Sequence, residues 1–322
     1  MRISFANIST GARTRLSFLL KFVFSAFVIA FILLRIDFKA VLESLSNANA
    51  ALLLLAFAIS LVNFGVQYFK WKLIAEKLTG EKDKRKLLAS LLLGVSAAMI
   101  TPLQTGVYVG RASVFEKEKI PRAVFATFFD KITMLFLTAF LGSLVSLYFL
   151  NREYNVSNFV TVPLLALILL LGAFFFVVLS SDKIDNAQLL RAFLPKKLAE
   201  KFSDKIEFVN SLDAGLFWKT LPLFVVQKIL LLAQFATLVY AFGGSGDFII
   251  LMYAALLVFF SKSFFPPVTV GDLGVREAMA IFFFGLAGIA EQTAFNAAMF
   301  LFVLNLLLPS LFSLWFLRRR KN

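Results

Sequence analysis

The chain has 322 residues, 60% of them hydrophobic, a mean hydropathy of +0.85 and a net charge of +14. This apolar content exceeds that of soluble domains and predicts an all-α polytopic membrane protein. Cysteine and histidine are absent, which excludes thiolate or imidazole metal sites and histidine-dependent nucleophilic catalysis. The positive charge lies between apolar segments, as in cytoplasmic loops, so we expect no nucleic-acid partner.

Six apolar stretches are long enough to cross about 30 Å of hydrocarbon as helices. In chain order they cover about 16–34, 48–69, 122–150, 159–181, 220–242 and 293–317. We interpret 16–317 as a single transmembrane domain, 1–15 as a cytoplasmic lead and 318–322 as a basic cytoplasmic tail.

Two shorter apolar segments, 87–101 and 248–265, each run into a polar motif. The motifs are TPLQTGVYVGR at 101–111 and FPPVTVGDLGVRE at 265–277, and both read Pro-x3-Gly-x4-Arg. Interrupted hydrophobic segments at corresponding places of two halves are typical of transport sites. The alternative interpretation is two unrelated loops.

The charge of the connections predicts which side of the membrane each one faces. Segments 70–86, 111–122 and 182–219 carry seven, four and seven Lys or Arg residues, whereas 151–158 and 243–247 carry one and none. The hairpin that begins with 87–101 then enters the membrane from the cytoplasm and returns to the cytoplasm. The hairpin that begins with 248–265 enters from the outside and returns to the outside. We predict six full spans plus two re-entrant helical hairpins in an inverted repeat, with both termini cytoplasmic.

Repeat one covers about 48–150 and repeat two about 220–317. The linker at 182–219 alternates apolar and basic residues near helical spacing, which predicts a cytoplasmic amphipathic segment that gathers anionic lipid. The alternative topology has eight full spans and places the basic residues of 111–122 outside.

Irregular backbone at membrane depth must line a cavity or be buried in protein. The hairpin breaks are expected at Pro102, Gly106, Gly110, Pro267, Gly271 and Gly274. Each break is followed by a short helix whose N-terminus attracts anions, and then by an arginine, which binds phosphate bidentately.

The candidate substrate-binding residues are Arg111, Arg276, Glu277, Asp272, Asp130 and Lys262. Asp130 is expected to pair with Arg111, since it lies on the helix that follows. An alternative for each arginine is an interfacial position, and for Asp130 an ion pair that only locks two helices. Lys131 and Lys228 also fall within predicted spans.

The stretches PPVTVGDLGVREAMAIFFFGL (266–286) and AEQTAFNAAMFLFVLNLLLPSLF (290–312) resemble the family typified by the transmembrane region of lysylphosphatidylglycerol synthases. Stand-alone members are called flippase-like proteins. The first motif, followed by FFDKITMLF (128–136), is similar to the family's first-half motif, except that Val107 stands where an acidic residue usually follows the glycine. The resemblance covers about 15–317 and implies the lipid-translocating part without the aminoacyl-transferase domain.

We therefore expect lipid translocation across a prokaryotic cytoplasmic (inner) membrane. A membrane phospholipid or lipid-linked substrate would pass its phosphate or derivatised headgroup between the two hairpins. The alternatives are a secondary transporter of a small anion and a non-transporting membrane scaffold for a lipid or glycan enzyme. The sequence predicts neither enzyme activity nor a cofactor, and it leaves the oligomeric state open.

Overall fold

The structure is a computed structural model that describes residues 46–101, 104–154, 156–180, 214–264 and 274–318. Over these ranges the chain is helical and has no strand, which confirms the predicted all-α class. The helices are α1 (Ala50–Thr79), α2 (Lys84–Ile100), α3 (Gly106–Ala112), α4 (Ile120–Tyr154), α5 (Asn158–Ser180), α6 (Ala214–Ala241), α7 (Phe248–Phe264), α8 (Val275–Leu286), α9 (Glu291–Phe302) and α10 (Leu308–Arg318). A 3-10 turn at Lys117–Lys119 precedes α4, and a π-helical turn at Val303–Leu307 joins α9 to α10.

Four of these elements are long and apolar enough to cross a membrane. They are Ala50–Thr79, Lys117–Arg152, Ala214–Ala241 and Glu291–Ser313, and shorter apolar helices cover Val160–Ala173 and Phe248–Phe264. The chain is therefore a multi-pass membrane protein. The predicted span 16–34, the lead 1–15, residues 182–213 of the linker and the tail residues 319–322 lie outside the described residues.

Helices α1 and α6 pack antiparallel along their length. The Asn49 N–H donates to the Ala241 carbonyl at 2.8 Å, and the Gln234 side-chain amide donates to the Ala56 carbonyl at 3.2 Å. Ala56 and Phe235 are both completely buried at this interface. The pair gives the molecule two ends: the α1 N-terminal end, near Asn49, and the α1 C-terminal end, near Thr79.

Helices α2 and α3 form a first hairpin whose two ends lie together. The Ser90 hydroxyl donates to the Arg111 carbonyl at 2.8 Å, which places α3 antiparallel to α2. At the open end of this hairpin, Lys119 Nζ lies 3.8 Å from Glu81 Oε2, and Lys86 Nζ lies 3.9 Å from Glu116 Oε1. The chain thus leaves and returns at the α1 C-terminal end.

Helices α7 and α8 form a second hairpin that begins and ends at the α1 N-terminal end. Phe248, at the start of α7, stacks on Tyr240 of α6, with 6.1 Å between the ring centroids. Thr293, in the first turn of α9, which follows α8, donates its hydroxyl to the Phe242 carbonyl at 3.2 Å. The two hairpins therefore point into the molecule from opposite ends.

Each hairpin packs against a helix of the other half of the chain. Helix α7 of the second hairpin lies on α4, where Gly142 leaves room for the ring of Phe260. Helix α2 of the first hairpin lies on α10, where Ser96 donates to the Ser310 carbonyl at 3.4 Å. The two halves are interlocked rather than side by side.

Two helix boundaries differ from those predicted. Helix α1 continues beyond 69 to Thr79, because Trp71, Ile74, Ala75 and Leu78 recur at helical spacing and are buried. Helix α6 begins at Ala214 rather than 220, because Leu216 and Phe217 join the same apolar cluster. The sequence predicts a basic connection at 70–86, but residues 70–79 of it belong to α1.

Candidate functional site: a cationic cavity between the hairpins

A cavity of about 540 Å³ lies where the two hairpins approach each other, and we call it the central cavity. Its size is within the range of about 300–1,000 Å³ typical of small-molecule sites. Five cationic side chains line it, each from a different helix: Arg111, Lys131, Lys228, Lys262 and Arg276. The described residues that line it include no aspartate or glutamate.

The remaining lining mixes neutral polar groups with apolar ones. The polar groups are Ser60, Asn63, Gln67, Gln104, Thr138, Gln227, Ser263 and Asn305. The apolar groups include Phe64, Leu135 and Leu231. Leu135 of α4 lines the cavity and is 46% exposed. The cavity therefore combines charge, neutral hydrogen-bonding groups and apolar side chains.

Arg111 lies in the last turn of α3 and is only 2% exposed. Its Nη1 donates to Asp130 Oδ2 at 2.7 Å, and its guanidinium lies 4.3 Å from the centroid of the Trp71 ring. The Nε of Arg111 is buried and has no hydrogen-bond partner. Asp130 thus fixes one edge of this guanidinium, and the buried Nε is left without a hydrogen-bond partner.

Asp130 joins three helices through one carboxylate. Its Oδ1 lies 2.7 Å from Lys70 Nζ on α1, while its Oδ2 accepts from Arg111 on α3. Lys70 also donates to Gln227 Oε1 at 2.5 Å and lies 4.0 Å from the centroid of the Phe224 ring on α6. Lys70, Arg111 and Asp130, hereafter the buried triad, carry one more positive than negative charge.

Arg276 lies in the first turn of α8 and is 3% exposed. Its Nη2 donates to Glu277 Oε1 at 2.6 Å, and Glu277 Oε2 accepts the Gly274 N–H at 2.6 Å. Gly274 has φ of 96°, a left-handed conformation that glycine adopts without strain. Glu277 therefore caps α8 and fixes the position of the Arg276 guanidinium at the same time. Arg276 Nε, like Arg111 Nε, has no hydrogen-bond partner.

Lys228 is 4% exposed in the middle of α6, and its hydrogen-bond partner is a neutral hydroxyl. Its Nζ donates to Thr138 Oγ1 of α4 at 2.6 Å and lies 5.4 Å from the centroid of the Phe259 ring. A buried ammonium is costly unless its charge is compensated, and a neutral hydroxyl compensates it only in part. Lys228 also bridges the two halves of the chain at the cavity wall.

The structure brings most of the sequence-predicted site residues together. Arg111, Arg276 and Lys262 line the central cavity, and Asp130 and Glu277 each bind one of the arginines directly. The predicted Arg111–Asp130 pair is present. The predicted sites Pro102, Pro267, Gly271 and Asp272 lie outside the described residues.

The glycines of the first hairpin have a packing role. A Cβ atom on Gly106 would meet the Ala97 carbonyl, and one on Gly110 would meet the Leu93 carbonyl. These two residues let α3 approach the backbone of α2 closely, so that Arg111 reaches the cavity from the short helix.

Sequence reasoning missed Lys70 and gave no role to Lys131 and Lys228. Lys70 was placed in a loop because the predicted span ended at 69. The apolar spacing of Trp71, Ile74 and Leu78 carries the helix past Lys70 and would have placed its ammonium at membrane depth.

A second cavity, of about 310 Å³, is almost entirely apolar. It lies between α4, α5 and α6, and Phe136, Phe140, Gly172, Phe217 and Phe224 are among its lining. Phe224 separates it from Lys70 of the buried triad. Within the described ranges no three His, Cys, Asp or Glu side chains lie close enough to hold a metal ion.

Residues 18–313 match the family model described as the lysylphosphatidylglycerol synthase TM region. The match covers nearly the whole chain and includes both hairpins and every cation of the central cavity. Searches of curated proteins and of solved structures find no match.

Proposed function

We propose, from the premise that the chain belongs to the family of the lysylphosphatidylglycerol synthase transmembrane region, that it translocates a lipid with an anionic headgroup across the membrane. The family match supports a membrane protein related to lipid handling. The observation that carries the finer proposal is the central cavity, with its five cationic side chains. We propose no catalytic step, because the matched part is the transmembrane region alone.

The physical task of such a protein is to lower the cost of moving charge through hydrocarbon. A charged group costs several kcal/mol or more at the centre of a bilayer. Ammonium and guanidinium groups lining a cavity replace the water that the headgroup loses, and they form charge-assisted hydrogen bonds with phosphate oxygens. Arg111 and Arg276 supply such donors from opposite hairpins.

The hairpins are proposed to be re-entrant and related as an inverted repeat. The support is their geometry, since the first begins and ends at the α1 C-terminal end and the second at the opposite end. The α1 C-terminal end carries Lys77, Lys82, Arg85, Lys117 and Arg122, and is therefore proposed to be cytoplasmic. The central cavity then lies between two re-entrant loops of opposite orientation, an arrangement suited to alternating access.

A lipid is favoured over a small soluble anion by the hydrocarbon edge of the cavity. Leu135 lines the cavity and is 46% exposed, and we propose that this side of the cavity forms an apolar edge towards the bilayer. A headgroup in the cavity could keep its acyl chains in the bilayer across this edge. A soluble anion has no acyl chain to place at this edge, and a cavity closed by polar groups on all sides would bind it better.

The test is exchange of fluorescent phosphatidylglycerol between leaflets of reconstituted vesicles. We compare the unmodified chain with Lys228→Met, Arg276→Gln and the matched control Lys219→Met, whose lysine is exposed on the same helix as Lys228. Both cavity variants are expected to slow exchange by about tenfold or more, which corresponds to about 1.4 kcal/mol of lost stabilisation. The control is expected to exchange at the rate of the unmodified chain.

Equal exchange in empty vesicles and in vesicles with the unmodified chain would overturn the proposal. Uptake of radiolabelled phosphate without any lipid movement would instead favour a secondary transporter of a small anion. Loss of function on changing only exposed surface residues, with the cavity variants unaffected, would favour a scaffold role.

A further inference from the structure

The second cavity, hereafter the apolar cavity, has walls suited to hydrocarbon. Helices α4, α5 and α6 form it, and five of its lining residues are phenylalanines: Phe136, Phe140, Phe176, Phe217 and Phe224. Among the described lining residues, Thr133 has the one polar side chain, and its hydroxyl oxygen is buried. Water needs several polar partners to occupy a cavity, so this one is dry or holds an apolar ligand.

The volume of the apolar cavity indicates how large such a ligand is. An apolar cavity of about 150 Å³ in another protein stays dry and binds benzene. The apolar cavity of this chain has a volume of about 310 Å³, so by the same ratio it has room for about twelve carbon atoms. That is a large part of one acyl chain. Left empty, the cavity would deprive its aromatic lining of dispersion contacts.

The surroundings of the apolar cavity favour a membrane lipid as the source of that chain. Helices α4 and α6 are long and apolar enough to cross a membrane, so the medium around them is hydrocarbon. Ala173 and Phe176 of α5 line the cavity and are exposed, which gives a ligand a way in. The Phe176 ring lies 5.2 Å from that of Trp218, which is 52% exposed near the start of α6. Tryptophan is typical of the membrane–water interface, where the acyl chains of a phospholipid begin.

The apolar cavity is separate from the central cavity. The two share no described lining residue. Helix α4 contributes Lys131 and Thr138 to the central cavity but Phe136 and Phe140 to the apolar cavity. A ligand in the apolar cavity therefore lies outside the cationic site.

Phe224 connects the apolar cavity to the buried triad. It is completely buried, it lines the apolar cavity, and its ring centroid lies 4.0 Å from Lys70 Nζ. A chain that fills the cavity packs against the same residue that supports Lys70. Binding is therefore expected to stabilise the folded protein as well as to fill a void.

We propose that the apolar cavity binds one acyl chain of a membrane phospholipid, which stays with the protein as a structural lipid and is not its cargo. The proposal goes beyond the proposed function and does not depend on it, because it concerns a different cavity. The headgroup of this lipid lies outside the cavity and is not selected by it.

Photolabelling of the full chain tests the proposal. The protein is purified in glyco-diosgenin, a detergent with a steroid body and no alkyl chain to compete for the site. The probe is phosphatidylcholine with a diazirine near the middle of one acyl chain, and mass spectrometry of peptides locates the cross-links. Labelling is expected to saturate at about one lipid per chain and to fall on the lining of α4, α5 and α6. No labelling, or labelling that does not saturate and spreads over exposed helix faces, would overturn the proposal.

A pair of matched variants tests whether the labelled site is the apolar cavity. Ala173→Phe places a ring in the cavity and is expected to reduce labelling of the lining by about tenfold or more. The control is Ala166→Phe, at an exposed alanine about two turns earlier on α5 that does not line the cavity, and it should label like the unmodified chain. Ala173→Leu is the second variant if Ala173→Phe does not fold. Unchanged labelling in a folded Ala173 variant would overturn the assignment.

Thermal unfolding gives an independent measurement. Added phosphatidylcholine is expected to raise the unfolding midpoint of the unmodified chain and of Ala166→Phe, because a ligand that binds only the folded state stabilises it. The midpoint of Ala173→Phe should not respond, since its cavity is already filled. An equal rise in all three proteins would overturn the proposal.

Lys228→Met distinguishes this site from the central cavity. It alters the central cavity alone, so it is expected to leave the photolabelling unchanged. Loss of labelling in a folded Lys228→Met variant would show that the two cavities act as one site and would overturn the proposal. Saturable labelling without leaflet exchange of phosphatidylglycerol would overturn the proposed function and support the structural lipid.

Discussion

Asp130 is the residue on which the geometry of Arg111 depends. It accepts from Arg111 Nη1 and pairs with Lys70, both at 2.7 Å, and it is 4% exposed. Removing one partner of a buried ion pair leaves an uncompensated charge, which is far more costly than replacing the whole pair. The carboxylate is therefore interpreted as a positioning group rather than a substrate ligand.

Asp130→Asn is expected to destabilise the protein by about 3–5 kcal/mol, because Lys70 and Arg111 would lose their shared carboxylate. A lowered midpoint of thermal unfolding in detergent measures this loss. The double variant Lys70→Met with Asp130→Asn removes one of the two stranded cations, so its midpoint is expected to lie above that of Asp130→Asn alone. A double variant that melts below the single variant would contradict a shared-carboxylate role.

Glu81 provides a pH-dependent contact at the base of the first hairpin. Its carboxylate accepts from Lys86 Nζ at 2.6 Å and lies 3.8 Å from Lys119 Nζ. The hydrogen bond from Lys86 is the main cause that lowers the pKa of Glu81 below its usual value. A carboxyl whose folded pKa is lowered stabilises the protein above the unfolded pKa, about 4.3, and this contribution is lost as the pH falls through the folded pKa.

Glu81→Gln is expected to lower the stability at pH 7 by about 0.5 kcal/mol, since the ion pair is close to the surface and screened by solvent. The difference between the unmodified chain and the variant should be smaller at pH 3 than at pH 7, because the contribution is lost as the pH falls through the lowered pKa of Glu81. Thermal melts of both proteins at the two pH values check this. A difference that stays the same at low pH would show that Glu81 acts through packing instead.

At the scale of elements, the first hairpin depends on close contact between α2 and α3. Gly106 and Gly110 lie against carbonyl groups of Ala97 and Leu93, with no room for a Cβ atom. Helix α3 runs only from Gly106 to Ala112, so its position comes from this packing and from Ser90 rather than from its own length.

Gly110→Ala is expected to cost about 1–3 kcal/mol through overpacking, and to slow lipid exchange because Arg111 is displaced. The matched control is Gly65→Ala in α1, where a Cβ atom would meet nothing within 4 Å. The control should be neutral or stabilising, since alanine favours a helix by about 1 kcal/mol over glycine. Thermal melts and leaflet exchange of both variants check the prediction, and equal melting points would contradict it.

The elements that depend on local sequence were predictable, whereas those that depend on distant contacts were not. Proline and glycine punctuation predicted the short helices that became α3 and α8. The end of α1 was predicted too early because Lys70 was interpreted as a loop residue, and its partner Asp130 lies on another helix. The π-helical turn at Val303–Leu307 has no sequence pattern of its own; in it Asn305 donates to Gln234 Oε1 at 2.8 Å.

At the scale of the whole molecule, the antiparallel pairing of α1 and α6 determines how the two hairpins face each other. The sequence predicted opposite orientations for the hairpins from loop charge alone. It could not predict that Arg111 and Arg276 line a single cavity, because that requires the packing of α7 on α4 and of α2 on α10. The membrane sidedness and the re-entrant topology stay predictions.

Single cysteines test that topology directly, because the chain has no native cysteine. Lys82→Cys and Glu118→Cys flank the first hairpin at exposed positions, and Ser245→Cys is exposed at the opposite end. A membrane-impermeant maleimide is expected to label Ser245→Cys from outside, and the other two only from the cytoplasmic side. The eight-span alternative requires Lys82→Cys and Glu118→Cys to react from opposite sides.

The buried triad also has a consequence for the synthesis of the protein. Lys70 enters the membrane on α1, but Asp130 follows only after sixty further residues have been made. At about 5–20 residues per second this delay is about 3–12 s. During that time the unpaired lysine, about two-thirds of the way along α1, disfavours membrane insertion by at most about 2.5–3.5 kcal/mol, the cost at a helix centre, and the apolar residues of Ala50–Thr79 must outweigh it. Insertion of α1 is therefore the step at which an insertase or a chaperone would act. The variant Lys70→Met should make insertion of α1 less dependent on such a factor.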